Sequence, residues 1–304
     1  MAAVVGGVLY FDRSPLVAIG GLFVLVVPFE RLFPRHDQPI NRPGLGTDLM
    51  YALTQPVLAV VGIAAAIVIG ALSLAWVPGL MIRPLVAMIP PWLSPFVGIA
   101  LFDLAIYWAH RWSHEVGFLW RFHSVHHSSE RMDWLSGIRT HPFDGAVIAP
   151  PFFFLLGAGF TAQFTGVLAV IQIVTGIFLH ANVRWRWRRL HRIVITPEFH
   201  HWHHANEPDA IHTNYSVFLP LWDIAFGTYF MPKGRRPSIY GVDEEMPREI
   251  VGQLRHPLRG FRNPVRMLRH PILACRHLWM LVRRGLGQLK RSTLRPRHPE
   301  PIPF

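Results

Sequence analysis

The chain of 304 residues is 51% hydrophobic and 16% charged, with a mean hydropathy of +0.28, a balance too apolar for an ordinary soluble enzyme. Its net charge of +12 would suit nucleic acid, but the basic residues gather at the ends of apolar stretches, which is the pattern of membrane topology and lipid contact. A lone Cys275 excludes an internal disulfide framework and reads as small apolar filler.

Residues 16–33 carry one acid, Glu30, near their end. Arg13 is the only basic residue before them, and no small-x-small site closes the stretch before Glu30, so it is expected to stay as a span and not to be cleaved as a signal peptide. Residues 49–77 are free of charge, and both stretches are long enough to cross a hydrocarbon core of roughly 30 Å. Residues 95–112 make a third candidate. Residues 143–160 and 161–182 are two apolar stretches joined at "GAGFTAQ", which reads as a tight helical hairpin. The expectation is an all-α fold with a multi-pass base of about four spans, five if every stretch crosses.

Arg31, Arg35 and Arg42 separate the first two spans, residues 184–192 after the hairpin are basic, and about a dozen Lys and Arg follow Gln253. The loop expected between residues 77 and 95 holds only Arg83. By the positive-inside rule the basic segments are cytoplasmic, which puts every histidine-rich segment on one cytoplasmic face. Residues 183–228, rich in Trp, His and Arg, read as a cap of short helices and loops. The resulting division is 1–94 for N-terminal spans, 95–230 for the core that carries the histidines, and 231–304 for a basic cytosolic tail. Within that tail "PKGRRP" marks a linker, and residues 265–289 read as an amphipathic helix on an anionic membrane face or against the cap.

Asp103, Tyr107, His110 and His114 are spaced by four, three and four, so they share one face of a helix. Two imidazoles at i and i+4 can grip one metal or bracket two, and Asp103 is placed to orient an imidazole N–H. "HEVGF" lacks the second histidine of a zinc-protease motif, which removes that reading. An H-x-x-H-H pattern occurs twice, as His123, His126 and His127 and as His200, His203 and His204. It can present ligands to two adjacent ions, and His180 at the end of the returning hairpin adds a ninth candidate. His36, His256, His270, His277 and His298 read as satisfied packing residues. Imidazole suits zinc, copper, iron and nickel alike. Nine candidates exceed the needs of one ion, however, and the boxes lack the carboxylates a hydrolytic zinc pair would recruit, so an iron pair that uses O2 is favoured.

At these residues the chain resembles the fatty acid hydroxylase and sterol desaturase superfamily of integral-membrane histidine-box oxygenases. The resemblance is carried by "DLAIYWAHRWSH", "LWRFHSVHHSSERMDWLSGIRTHP", "FLHANVRW", "VITPEFHHWHH" and "NYSVFLPLWDIAFGTY", in family order over residues 103–230. It implies a helical membrane base, a cytosolic histidine cap and two iron ions, with zinc able to occupy the sites of purified protein. The implied ligands are His110, His114, His123, His126, His127, His180, His200, His203 and His204, with His141 as a tenth ligand or an orienting group. His191, His201 and His212 fall outside the family's ligand pattern and read as cap residues, while Asn214 and Asp223 hold the cap together. The implied reaction is O2-dependent hydroxylation of a lipid C–H bond, or desaturation, which begins with the same hydrogen abstraction. Its partners are a lipid from the bilayer, O2 and a separate electron donor such as a ferredoxin or a cytochrome b5-like protein. "HSVHHSSE" is similar to alkylglycerol monooxygenase, but no pterin-specific feature accompanies it.

Trp108, Trp112, Trp120 and Trp134 fit an interfacial belt or a tunnel mouth. Two lysines beside 28 arginines suggest a GC-rich bacterial genome and hence an inner membrane. The rival from another class is a histidine-rich metal transporter or storage protein, which needs ligands at the bilayer midplane, whereas these lie at span ends. A scaffold that kept the fold and lost catalysis is the third reading.

Overall fold

The computed structural model describes residues 14–147, 149–185, 190–259, 283 and 287–288. The expected helix at 265–289 falls outside them apart from Arg283, Gly287 and Gln288, as do Cys275, His270, His277 and His298. Among the described residues every regular element is helical, with two isolated β-bridges, Pro34 to Val183 and Ala205 to Tyr240.

The first helix, α1, is Ser14–Leu32, and α2 is Leu45–Leu72. Ser73 turns its hydroxyl back to the Gly70 carbonyl and Leu74 takes a left-handed φ of 56°, so residues 49–77 do not form one continuous helix. The chain restarts as α3, Trp76–Ala87, and this corrects the expected loop between residues 77 and 95: Arg83 lies on a helix. α3 crosses α7, Ala149–Gly157, closely enough that a Cβ on Gly79 would lie 2.3 Å from the Phe154 carbonyl oxygen and one on Gly157 would lie 2.4 Å from that of Trp76. Only glycine permits that approach.

Ser94–Glu115 forms α4 and Gly117–His127 forms α5, with Val116 extended between them. This single extended residue turns the chain sharply and brings the histidines of α5 back beside those of α4. Within the stretch 143–160, read as one apolar span, the described residues form α6, Asp144–Val147, and α7 on either side of residue 148. After Gly159 at φ 100°, Thr161 caps α8, Ala162–His180, by accepting from the Phe164 N–H at 3.1 Å. The tight hairpin expected at "GAGFTAQ" is therefore present. Phe102 and Ile106 of α4 pack with Leu155, Ala158, Phe160 and Leu168, which locks α4, α7 and α8 together below the histidines.

Among the described residues two helices, α2 and α8, are long and apolar enough to cross a membrane. Only 6% and 12% of their most apolar stretches are buried, whereas the core helix of a soluble protein would bury an apolar face. Val60, Ile63, Ile67 and Leu72 of α2 and Val167, Val170, Ile173 and Val174 of α8 all point outward. Large contiguous apolar surface of this kind needs an apolar surrounding.

The histidine-bearing end is held by buried polar groups. Arg42 pairs with Asp48 at 2.7 Å and with Asp133, and Arg139 pairs with Asp48 at 2.6 Å. This ties the start of α2 to the loop after α5. The short helices α9, Pro197–His203, α10, Leu221–Ala225, and α11, Ile250–Arg255, complete the cap. Residues past 231 continue to pack on it, since the Tyr240 hydroxyl reaches His36 and His201 and Ile250 packs with Tyr51 and Val125.

Candidate metal centre

Four helices aim histidines at one volume: α4 with His110 and His114, α5 with His123, His126 and His127, the end of α8 with His180, and α9 with His200, His203 and its C-terminal neighbour His204. They form two groups. His110, His114, His123, His127 and His203 make the first, and His126, His180, His200 and His204 the second, the candidate ligand atoms of each group lying within 4.8 Å of one another. Each H-x-x-H-H motif is shared: its residues at i and i+4 turn to one group and the residue at i+3 to the other.

In the second group the Nε2 atoms of His126 and His180 are 3.2 Å apart, those of His180 and His204 3.1 Å, those of His180 and His200 3.3 Å, and those of His200 and His204 3.1 Å. Ligands about 2.1 Å from a common ion and at the tetrahedral angle are about 3.4 Å apart. The Nδ1–H of His126 is donated to the Arg139 carbonyl at 3.0 Å and that of His180 to the Gly176 carbonyl at 2.6 Å. In the neutral rings their two Nε2 atoms therefore carry lone pairs and no proton, and two acceptors facing each other at this distance call for a cation between them.

The first group is built the same way. His110 donates from Nδ1 to the Tyr215 carbonyl at 2.7 Å, His203 to the Thr213 carbonyl at 2.9 Å, and His123 to both carboxylate oxygens of Asp144 at 3.0 Å. Such contacts fix the tautomer and leave Nε2 to bind metal. The Nε2 atoms of His114 and His203 are buried without a hydrogen-bond partner, so the donor set fits a metal and leaves a polar deficit otherwise. Burial, followed by neighbouring imidazoles and side chains, pushes the His126 ring down to about 4 and holds His127, His200, His203 and His204 well below the ordinary histidine range. Neutral rings at pH 7 are what metal binding requires.

Two sequence expectations are corrected here. Asp103 does not reach an imidazole: its carboxylate accepts the N–H groups of Val217, Phe218 and Leu219 at 3.4, 3.0 and 2.9 Å, so it pins the loop that follows Tyr215. His141 is neither a tenth ligand nor in contact with one, because its Nε2 donates to the Leu254 carbonyl and its Nδ1 accepts the Phe143 N–H. His201 is enclosed by the Tyr240 hydroxyl and the His180 and Ala181 carbonyls, and His191 lies 3.9 Å from Glu198, both outside the clusters. Asn214 bonds to the Phe199 and Phe230 backbone and Asp223 accepts from Tyr215, Ser216 and Thr228, so both hold the cap together. Sequence reasoning missed Asp144, and it missed Gly137, where a Cβ would lie 2.9 Å from the His180 ring.

A cavity of about 420 Å³ opens beside the histidines, lined by His114, His127, His203, His204, Trp120 and the turn 241–244 among others. Trp120 lines this cavity, its ring 5.2 Å from that of His114 and 5.6 Å from that of His127, while Trp134 is buried with Ala52 and Leu135 and is no interfacial anchor.

Residues 95–228 match the family model described as fatty acid hydroxylase. This segment belongs to the fatty acid hydroxylase family. Its two histidine groups are consistent with a metal site of that family, whose members are membrane-bound. Over 164 residues, 53% of this chain and 49% of that protein, it is 32% identical to an ornithine lipid hydroxylase of Rhizobium tropici. Over 154 residues, 50% of this chain and 32% of that protein, it is 32% identical to the alkylglycerol monooxygenase of Danio rerio. It is also 31% identical to the Arabidopsis thaliana protein CER1-like 1 over 161 residues, 46% of this chain and 25% of that protein. The chain therefore spans half or less of the length of these relatives. No solved structure matches it.

Proposed function

We propose that the protein is a membrane-bound di-iron oxygenase that hydroxylates a C–H bond of a lipid, with α1, α2, α4 and the α7–α8 hairpin as a multi-pass base of about four spans, five if both arms of the hairpin cross, and the histidine end in the cytoplasm. The observation that carries this reading is the convergence of nine imidazoles in two adjacent groups, five of which, His110, His123, His126, His180 and His203, hold their Nδ1 proton on a carbonyl or carboxylate and so turn an unprotonated Nε2 inward. Iron bound there supplies the O2-dependent oxidation of the C–H bond. One oxygen atom enters the lipid as a hydroxyl and the other leaves as water, with two electrons and two protons drawn from a separate donor protein. The chain's own residues hold the ions, keep their shell neutral and exclude water from it.

Relatives named for ornithine lipid and alkylglycerol substrates support a polar lipid substrate. Desaturation would share the first hydrogen abstraction. Metal transport is disfavoured because the histidines sit towards helix ends, four of them donate to backbone carbonyls, and among the described residues they gather in two groups and form no line along a path.

The test is metal analysis of detergent-purified protein beside a His126→Ala, His203→Ala double variant, with comparative lipidomics of cells expressing each under air. The expected result is about two irons per chain, as two groups of four and five imidazoles require, lost in the variant, and a lipid heavier by one oxygen only with the wild type. A lipid lighter by two hydrogens would replace hydroxylation with desaturation. Full metal and unchanged lipids would overturn the oxygenase reading.

A further inference from the structure

The chain carries thirty Lys and Arg against eighteen Asp and Glu, yet the described lining of the cavity beside the histidines contains no lysine or arginine and two acids, Asp243 and Glu244. Both stand in the segment 241–244, which lines the cavity together with His114, His127, His203 and His204 and begins at Gly241 with a φ of 102° that glycine adopts freely. Asp243 accepts from the Asn206 amide at 2.7 Å, a neutral partner that positions the carboxylate and leaves its charge in place. Glu244 lies 3.2 Å from His256 Nε2. Trp120, Ile211 and Val242 supply the apolar wall between them and the floor. At that floor His203 is 5% exposed and its Nε2 has no hydrogen-bond partner. The cavity thus leads from an acidic rim to the candidate reacting centre.

Resting on the oxygenase reading above, we infer that this cavity receives a lipid headgroup bearing an ammonium group, with Asp243 and Glu244 as its counter-charges and Trp120 as the aromatic face beside it. Two carboxylates, with no lysine or arginine among the described lining residues, favour a cationic guest and repel an anionic one, and an indole face adds attraction for an ammonium. The size fits: about 420 Å³ lies at the lower end of small-molecule pockets, suited to a headgroup and not to a whole lipid. The acyl chains would then lie along the outward apolar faces of the base, and the oxidised carbon would be near the headgroup.

The test uses the full chain, iron-loaded, in nanodiscs of phosphatidylglycerol. Binding is measured by thermophoresis for a short-chain lipid with a free α-ammonium and for its N-acetylated counterpart, which differs only in charge. The expected result is binding tighter by about tenfold for the ammonium lipid, a preference that shrinks at high salt and falls to about twofold or less in an Asp243→Asn, Glu244→Gln variant that keeps its iron. Equal binding of the two lipids by the wild type would overturn the inference, as would a preference that survives in the variant. A free amino acid that binds as tightly as the lipid would show an amine site and refute the lipid headgroup. Failure of the oxygenase reading would show separately, as missing iron or unaltered lipids, and leaves this binding preference measurable.

Discussion

The rings of His127 and His204 stack face to face, with centroids 4.0 Å apart and planes 15° from parallel. His127 belongs to the first histidine group and His204 to the second, and among the described ring contacts between the groups theirs has the shortest centroid distance. Each ring has its neighbours in its own group: His127 Nε2 lies 3.2 Å from His123 Nε2, and His204 Nε2 lies 3.1 Å from both His180 and His200. Two ions held by the two groups would share this pair of rings as a common wall. Replacing His127 by alanine should lower the iron content from about two to about one per chain, and His204→Ala should do the same, since each removes one ligand from one ion. Elemental analysis of the two single variants checks this. Retention of two irons in both would show that neither ring is a ligand.

Asp144 donates nothing to a metal in this arrangement, yet both of its oxygens lie 3.0 Å from His123 Nδ1. Partners of this kind typically change metal affinity by 10–100-fold. An Asp144→Asn variant keeps an acceptor oxygen and loses the charge, whereas Asp144→Ala loses both. Iron affinity measured by chelator competition should therefore fall by about tenfold in the first and by about a hundredfold in the second. Equal affinity in all three proteins would show that His123 is oriented without Asp144.

The contrast between Asp103 and Asp144 explains what could be read from the sequence. The histidine boxes are legible because helical periodicity alone puts i, i+3 and i+4 on adjoining faces, and the sharing of H-x-x-H-H between the two histidine groups follows from that geometry. Asp103 was legible as a buried acid on the same face, but its partners are the backbone N–H groups of residues 217–219, more than a hundred positions away. Asp144 was hidden because it opens an apolar stretch that read as a span. The carbonyls of Arg139, Thr213 and Tyr215 have no sequence signature, since any residue supplies one. Span lengths were blurred for a related reason: the turn around Leu74 interrupts a stretch whose hydropathy is continuous, so composition alone made one long element where the chain turns.

Gly137 gives a steric test of the second group. A Cβ there would meet the His180 ring at 2.9 Å, closer than carbon atoms tolerate, and His180 has three other imidazoles about it at 3.1–3.3 Å between nitrogens. The ring has little room to retreat, because its Nδ1 is tied to the Gly176 carbonyl. Gly137→Ala should displace His180 and reduce iron to about one per chain, and Gly137→Ser should do so at least as strongly. Iron content and the near-ultraviolet absorption of the iron-loaded protein report the change. An alanine variant with two irons and an unchanged spectrum would mean that the loop carrying Gly137 yields freely.

The depressed histidines set the acid limit of the metal-free protein. In the folded chain His126 is pushed down to about 4, and His127, His200, His203 and His204 are held well below 6.5, chiefly by burial. In the unfolded chain each returns to about 6.5. Above pH 6.5 both states leave these rings neutral, so the rings contribute no pH dependence. As pH falls from 6.5 towards 4, the unfolded chain binds protons that the folded chain refuses, and folding stability falls by about 1.4 kcal/mol per pH unit for each such group. The melting temperature of the metal-free protein in detergent should accordingly be flat between pH 8 and 7 and drop continuously from pH 6.5 to 4.5. A His126→Gln, His203→Gln variant, with two fewer groups to protonate, should show a shallower drop. A melting temperature that does not change down to pH 4.5 would mean that water reaches these rings in the folded state and that they titrate there as they do in the open chain.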